Sequence, residues 1–282
     1  MNTGENYNSN IDIADIEQRT KNIADKAKSG ANESLRKKIF GLIDMTTLDV
    51  SDNNKKVGGI IEKVNHFSEN YPGWPNVAAI CVYPSFVTLM VENLRDKNVR
   101  KATVAGSFPS SQTFKEIKIN EVKLILEKGA DEIDIVLPLG KFLEGKYEEI
   151  HEEIAEIKQL TGQNHVKVIL ESGMMDDLEK IKNAAVLSIE AGADFIKTST
   201  GKNGPGASPE AVYVMCMVIR EFYDKTGKKI GIKPAGGISN AETALQYYLI
   251  VEEILGEEWL NPSLFRIGAS RLANNLLGEK YF

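Results

Sequence analysis

The sequence predicts an α/β protein, a (β/α)8 barrel preceded by an N-terminal helical extension. Three observations carry that expectation. Eight short apolar or β-branched runs follow one another along the chain. Between most of them lie longer stretches with apolar residues at helical spacing, at roughly 30 residues per unit, the length a strand–helix–strand crossover needs. The polar residues that end the runs are spread over many of them, and no GxGxxG follows the first. The last point disfavours an open doubly wound sheet, which would gather its ligand-binding residues at one switch point.

Residues 1–10 have almost no apolar side chains and are expected to be disordered. Residues 11–39 carry Ile11, Ile13, Ile16, Ile23, Leu35 and Ile39 among many charges. They predict one or two helices, broken near Ser29 and Gly30, placed to cap the base of the domain. The chain is divided on this reading into an extension, 1–38, and a single barrel, 39–282. The predicted strands are Ile39–Met45, Val77–Tyr83, Ala102–Ser107, Glu132–Pro138, Val166–Glu171, Phe195–Thr198, Ile230–Lys233 and Phe265–Gly268. Among the predicted helices, Gly145–Gln159 repeats Tyr147, Ile150, Ile154 and Ile157, and Asp177–Ala191 repeats Leu178, Ile181 and Ala185. Pro209–Tyr223 opens on Ser208 as N-cap, with Pro209 and Glu210 in its first turn.

Composition bounds the function. The 282 residues are 42% hydrophobic, enough for a full core in one large domain. A net charge of −6 gives no reason to expect nucleic acid or anionic membrane as a partner. Cys81 and Cys216 lie far apart in apolar contexts and read as reduced core thiols. The polar N-terminus has no signal pattern, and no run approaches the ~20 apolar residues that span a bilayer, so the cytoplasm is the expected location. The oligomeric state stays open, a homodimer being one arrangement.

Chemistry is sought at the ends of the strands, where barrels place their active residues. Lys197 and Lys233 each sit in an apolar run that opens onto glycines, in Phe195–Lys202 and Ile230–Gly237. A lysine in a buried strand is costly, and two with the same local pattern need a shared explanation. In one electropositive pocket each would lower the other's pKa and yield a neutral, nucleophilic amine, the requirement for Schiff-base chemistry. The charge on Lys233 is the expected main cause at Lys197, with desolvation helping. Asp134 alternates with Ile133 and Ile135, so it faces away from them and needs an ammonium across the barrel. Asp44, Lys167 and Glu171 read singly as solvated strand ends or satisfied ion pairs, Glu171 facing the layer between strand and helix. Cys81 reads as a small buried hydrophobe. Glycine loops suited to phosphate recur at Gly201-Lys202, Gly236-Gly237 and Gly268-Ala269-Ser270, the last leading into a helix. His66, His151 and His165 read as surface or helix residues, and no cluster suggests a metal.

Seven segments taken together resemble the deoxyribose-phosphate aldolase family: LIDMTTL (42–48), AAICVYP (78–84), ADEIDIVLP (130–138), KVILESG (167–173), GADFIKTSTGK (192–202), IGIKPAGGI (230–238) and FRIGAS (265–270). The resemblance runs from about Phe40 to about Leu277. It implies a (β/α)8 barrel and metal-independent class I aldol chemistry with no cofactor. The implied reaction is reversible cleavage of 2-deoxy-D-ribose 5-phosphate to D-glyceraldehyde 3-phosphate and acetaldehyde, in deoxyribonucleotide catabolism. By position, Lys197 matches the Schiff-base lysine, Lys233 the lysine that perturbs it and Asp134 the proton-relay aspartate. Gly201, Lys202, Gly236, Gly237, Gly268 and Ser270 fall where the phosphate is held, and Asp44, Thr46, Cys81, Lys167 and Thr200 stand as possible supporting residues. Two departures stand out. Arg271 occupies the place of a second serine, its guanidinium either bonding the phosphate or turning outward to an acidic surface group, the second being the favoured reading. The chain ends at Tyr281-Phe282, which puts the role of a tail tyrosine in doubt. Another Schiff-base lyase or a retained phosphosugar-binding barrel are the competing readings. The TSTGK and KPAGGI loops weigh against the first, and intact Lys197, Lys233 and Asp134 against the second.

Overall fold

The computed structural model describes Tyr7 and residues 11–282. Its described residues form eight parallel strands: β1 Ile43–Thr46, β2 Ala79–Val82, β3 Arg100–Ala105, β4 Glu132–Val136, β5 His165–Ile169, β6 Phe195–Lys197, β7 Gly231–Lys233 and β8 Ile267–Ala269. They are hydrogen-bonded in the order β7-β6-β5-β4-β3-β2-β1-β8. Parallel bridges Ile232↔Phe265 and Ala235↔Gly268 close the remaining seam, so the sheet is a barrel. Helices alternate with the strands and cover the outside, as a (β/α)8 barrel requires.

The helices start where short polar side chains can take up free backbone N–H groups. Asn53, Asp177, Ser208 and Asn240 accept from Lys56, Lys180, Ala211 and Thr243 respectively. Pro209–Thr226 thus begins on the predicted cap. The first strand differs from its expectation. Ile39 and Phe40 belong to the last turn of helix Glu33–Phe40, capped by Asn32, and Phe40 stacks on Phe67 at 4.8 Å. Their apolarity serves a helix face, and a division at 38/39 falls inside that helix.

The first helix of the N-terminal segment lies on the outer helical layer. Helix Ile13–Ala27 turns Ile16, Thr20, Ile23 and Ala27 inward, one stripe at helical spacing, and packs across the outer helices Pro209–Thr226 and Ala241–Leu255. The expectation of disorder for 1–10 lies outside the described residues, except at Tyr7. That residue is buried, its ring 4.3 Å from Lys225 Nζ.

Inside the barrel, bulky branched residues usually fill the space. Here β2 and β3 contribute a small apolar cluster, Ala79, Cys81, Ala102 and Val104, together with Leu48. Opposite them, the inward positions of β1 and β4 to β7 carry Asp44, Glu132, Asp134, Lys167, Lys197 and Lys233, all buried. Phe195 forms the apolar floor, with Lys167 Nζ and Arg266 Cζ each 5.8 Å from its ring centre. Its register partner is Gly231. A Cβ there would lie 2.3 Å from the ring, so only glycine leaves room for the floor.

Gly231→Ala should therefore cost about 1–3 kcal/mol, the range for overpacking a filled core. Chemical denaturation should show that the double variant with Phe195→Leu loses less than the sum of the two single variants. Strict additivity would separate Gly231 from the ring.

Candidate active site

The register of the strands assembles the site. Lys197 and Lys233 are paired neighbours on β6 and β7, and Asp134 pairs with Lys167 on β5. Asp134 Oδ2 accepts from Lys197 Nζ at 2.9 Å and from Lys233 Nζ at 2.7 Å, while Oδ1 accepts from Lys167 Nζ at 3.0 Å. One carboxylate thus serves three amines. Lys233 also lies 2.5 Å from Asp44 Oδ2, and Lys167 donates to Glu132 Oε2 at 2.6 Å. Arg266 closes the circuit, donating to Asp44 Oδ1 at 2.6 Å and Glu132 Oε1 at 2.8 Å.

The two site lysines therefore differ. Burial pushes Lys197 down, Asp134 pushes back, and the Lys233 charge adds to the lowering, leaving it below the ordinary lysine value. Burial also works against the Lys233 ammonium, but Asp134 and Asp44 together outweigh it and raise Lys233. Mutual depression of the two lysines is thus corrected to depression of one, and its largest cause is burial rather than the neighbouring charge. Burial disfavours the Asp134 anion, yet Lys167, Lys197 and Lys233 hold it well below the usual carboxylate range. Glu132 is held well below by Lys167, with His165 and Arg266, and Asp44 is lowered by Lys233 and Arg266, both against burial. Burial and the nearby Asp134 push the Cys81 thiol up to about 11, so it stays protonated, as befits a buried small residue.

A cavity of about 410 Å³ opens at the C-terminal ends of the strands. Of the four network bases, Lys197 alone lines it. Around it stand Thr46, Thr200, Gly201, Lys202, Gly236, Gly237, Gly268, Ser270 and Arg271. Asp44, Cys81, Asp134, Lys167 and Lys233 lie beneath this wall.

Local chemistry shapes the wall. Glu171 is buried in the left-handed region at φ 56° and accepts from Thr200 N at 3.0 Å and Thr200 Oγ1 at 2.6 Å. Thr200 Oγ1 in turn accepts from Lys202 N at 3.1 Å. Glu171 thus braces the Gly201-Lys202 turn, a correction to its placement between strand and helix. Gly236 has φ 87°, and a Cβ on it would meet Gly206 Cα at 2.8 Å. Gly268 has a different reason to be small: a Cβ would press on Ala235 at 2.8 Å and on Lys233 Cε at 3.2 Å. Arg271 is exposed at the start of the six-residue helix Leu272–Leu277 and makes no ion pair among the described residues, so its expected acidic partner is not there. Tyr281 donates its hydroxyl to Lys63 O at 2.9 Å inside an aromatic cluster, whereas Phe282 reaches the cavity wall.

Two network members, Glu132 and Arg266, were missed in the sequence. Glu132 stands two residues before Asp134, on the same face of the same strand, and that spacing was the available signal. Arg266 precedes β8, and only its place in an apolar strand run marked it. Asp44 and Lys167 are satisfied ion pairs, as read singly, but within this shared network. His165 opens β5 instead of lying in a helix or loop, with Nδ1 3.6 Å from Glu132 Oε1.

Residues 39–251 match the model of the DeoC/LacD family aldolases. The chain is similar to human deoxyribose-phosphate aldolase, 38% identical over 86% of this chain and 80% of the relative. It is similar to the mouse protein of that name, 41% identical over the same shares. Its fold resembles the deoxyribose phosphate aldolase of Aeropyrum pernix, described as a tetramer, with a TM-score of 0.70 and 23% identity over 92% of this chain and 96% of that one.

The three carboxylates lie below their ordinary range only in the folded chain. Their stabilising contribution is complete above about pH 4.5 and is lost as the pH falls further. Calorimetry from about pH 6 to about pH 3 should show Tm falling through the acid part of that range. A flat Tm would mean that the network does not stabilise the fold through its anions.

Proposed function

The chain belongs to the DeoC/LacD family of aldolases, and we propose that it reversibly cleaves 2-deoxy-D-ribose 5-phosphate to D-glyceraldehyde 3-phosphate and acetaldehyde through an imine on Lys197. One observation carries the choice of amine. Lys197 is the single network base on the cavity wall, and it is the one whose pKa is lowered while Lys233 beside it is held charged. A neutral amine is what addition to a carbonyl requires. The names of the human and mouse relatives support the choice of substrate.

In this reading the open-chain sugar presents its C1 aldehyde to Lys197 Nζ. Addition and loss of water give a protonated imine that withdraws electrons from C2. A base takes the proton of the C3 hydroxyl, the C2–C3 bond breaks, and its electron pair passes into an enamine. Glyceraldehyde 3-phosphate leaves. Protonation of the enamine at C2 and hydrolysis of the imine release acetaldehyde and restore the amine. Asp134 and Lys233, with a water, are the group proposed to carry these protons. The phosphate is assigned to the backbone N–H groups around Gly201, Gly236, Gly237, Gly268 and Ser270 and to the Lys202 ammonium. Binding the unreactive end supplies energy that orients the reactive one. The imine serves as the electron sink, so no metal or cofactor has a step.

The reading extends to deoxyribonucleotide catabolism in the cytoplasm and to self-association as a homodimer. Among the described residues no helix is long and apolar enough to cross a membrane. The Aeropyrum pernix relative is described as a tetramer, which supports self-association without fixing the number of copies.

Incubation with acetaldehyde and borohydride, in the presence of a chelator, should place one two-carbon unit on Lys197, mapped by mass spectrometry. Lys197→Arg should abolish acetaldehyde release and keep the fold, because arginine stays charged. An adduct on another lysine, or one that needs added metal, rejects the assignment.

Arg271, exposed at the cavity and without an ion-pair partner among the described residues, is assigned to the phosphate. A charge-assisted hydrogen bond contributes roughly 1.5–3 kcal/mol. Arg271→Ser should therefore raise KM for the phosphorylated sugar about tenfold or more and leave unphosphorylated deoxyribose unaffected. Equal effects on both sugars would remove Arg271 from the phosphate site.

A further inference from the structure

The barrel interior poses a charge-counting problem. Asp44, Glu132 and Asp134 supply three negative charges, and Lys167, Lys197, Lys233 and Arg266 offer four positive ones, all buried. A buried charge with no counter-charge is far more costly than a paired one. Three carboxylates can balance three bases, so neutrality leaves one base uncharged.

The bonding pattern decides which base that is. Lys233 has two carboxylates, Asp134 and Asp44. Lys167 has Glu132 and Asp134 within 3.0 Å and Asp44 at 3.9 Å. Arg266 has Asp44 and Glu132. Lys197 has Asp134 alone, on the oxygen already taken by Lys233.

We propose that Arg266 and Glu132, neither of which is bonded to Lys197, are positioning residues that set the charge state of Lys197 by fixing the charge balance of the network. Arg266 completes the positive count, so Lys197 shares Asp134 and has no anion of its own. Glu132 is the carboxylate that shares Lys167 with Asp134 and shares Arg266 with Asp44. The inference rests on the reading of Lys197 as the imine-forming amine.

The groups facing Lys197 are Asp134 on β4, Lys233 on β7 and Cys81 on β2. Those facing Arg266 are Asp44 on β1, Glu132 on β4 and the Phe195 ring on β6, with His165 and Lys167 on β5 facing Glu132 from the other side. Cys81 is protonated and His165 is partly exposed to solvent, so the count is taken over the seven charged groups buried in the interior.

The two residues have opposite signs, which separates charge balance from mere packing. Arg266→Met removes one positive charge, and Lys197 should fill the deficit by holding its proton to higher pH. Glu132→Gln removes one negative charge, and Lys197 should lose its proton at lower pH. Each shift should be about one pH unit, the order expected of a unit charge two ion pairs away at an effective dielectric of about 20.

The experiment reads the Lys197 amine directly. The whole enzyme is acetylated with limiting acetic anhydride across a pH series, and Lys197 modification is followed by mass spectrometry. The midpoint should rise by about one unit in Arg266→Met, with acetaldehyde release at neutral pH falling about tenfold and recovering on the alkaline side. It should fall in Glu132→Gln and return in Arg266→Lys. If Arg266→Met does not fold, Glu132→Gln and the double variant Glu132→Gln/Arg266→Met still decide, because the double should return the midpoint to the parent value. Midpoints that stay fixed, or that move the same way in both single variants, overturn the proposal: the carboxylates would then be absorbing the missing charge. If Lys197 is not the imine-forming amine, it still titrates in this assay but gains no borohydride-trapped adduct, so the two failures are distinguishable.

Discussion

Asp134 is the constraint on which the interior depends. Its two oxygens take three lysine amines as donors, from β5, β6 and β7. Removing that carboxylate would strand three buried amines, and an unpaired buried charge destabilises by several kcal/mol. A network of this kind is weak evidence for stability, since an apolar filling of equal volume often does as well. Its presence in a barrel interior calls for a chemical reason. The reason offered by the geometry is that a set of buried charges, four bases against three acids, makes one amine the natural place for a missing proton.

The rest of the fold keeps that arrangement in place. Parallel registry sets Lys197 beside Lys233, so their separation is fixed by backbone hydrogen bonds rather than by side-chain freedom. Below them the Phe195 ring fills the volume that Gly231 leaves open, and the Lys167 and Arg266 cations lie near its ring. Above them the wall is braced by Glu171 through Thr200, a buried carboxylate with a strained backbone that gives the Gly201-Lys202 turn its shape. Residues at three levels of the barrel thus converge on one amine that reaches the cavity.

Most of the architecture was legible because strand and helix periods are strong local signals. The eight strand runs, the Ser208 cap and the helices after β4, β5 and β6 follow from spacing alone. What was misread shared one cause: the sequence shows a residue type but not its partners. Ile39 and Phe40 look like strand residues until a helix is seen to use their apolar faces against Phe67. Glu171 looks like any polar strand end until its oxygens meet Thr200. Asp44 and Lys167 read as ion pairs without named partners, and Arg266 hardly registers, because an ion pair between residues 222 positions apart leaves no local trace. Even the lysine pair carried only half its meaning. Two buried lysines suggest equal repulsion, and the difference between them comes from Asp44, which sits on a distant strand and forms an ion pair with only one.

That asymmetry also explains why Lys197 rather than Lys233 or Lys167 is suited to attack a carbonyl. All three amines are buried and all three bond to Asp134, so neither desolvation nor proximity to the carboxylate distinguishes them. Lys167 lies one level deeper, between Glu132 and Asp134, where a nucleophile would have no room to meet a substrate. Lys233 stands level with Lys197, but Asp44 holds its charge, and Gly268 and Ala235 pack close to the path above it. Only Lys197 combines a single, shared anion with a place on the cavity wall. An amine in that position loses its proton more readily than its neighbours, yet remains next to a carboxylate and an ammonium that can return one. On the proposed reading, selection of the nucleophile is thus a consequence of which strand ends lie opposite a second carboxylate, a property of the whole barrel and of no single motif.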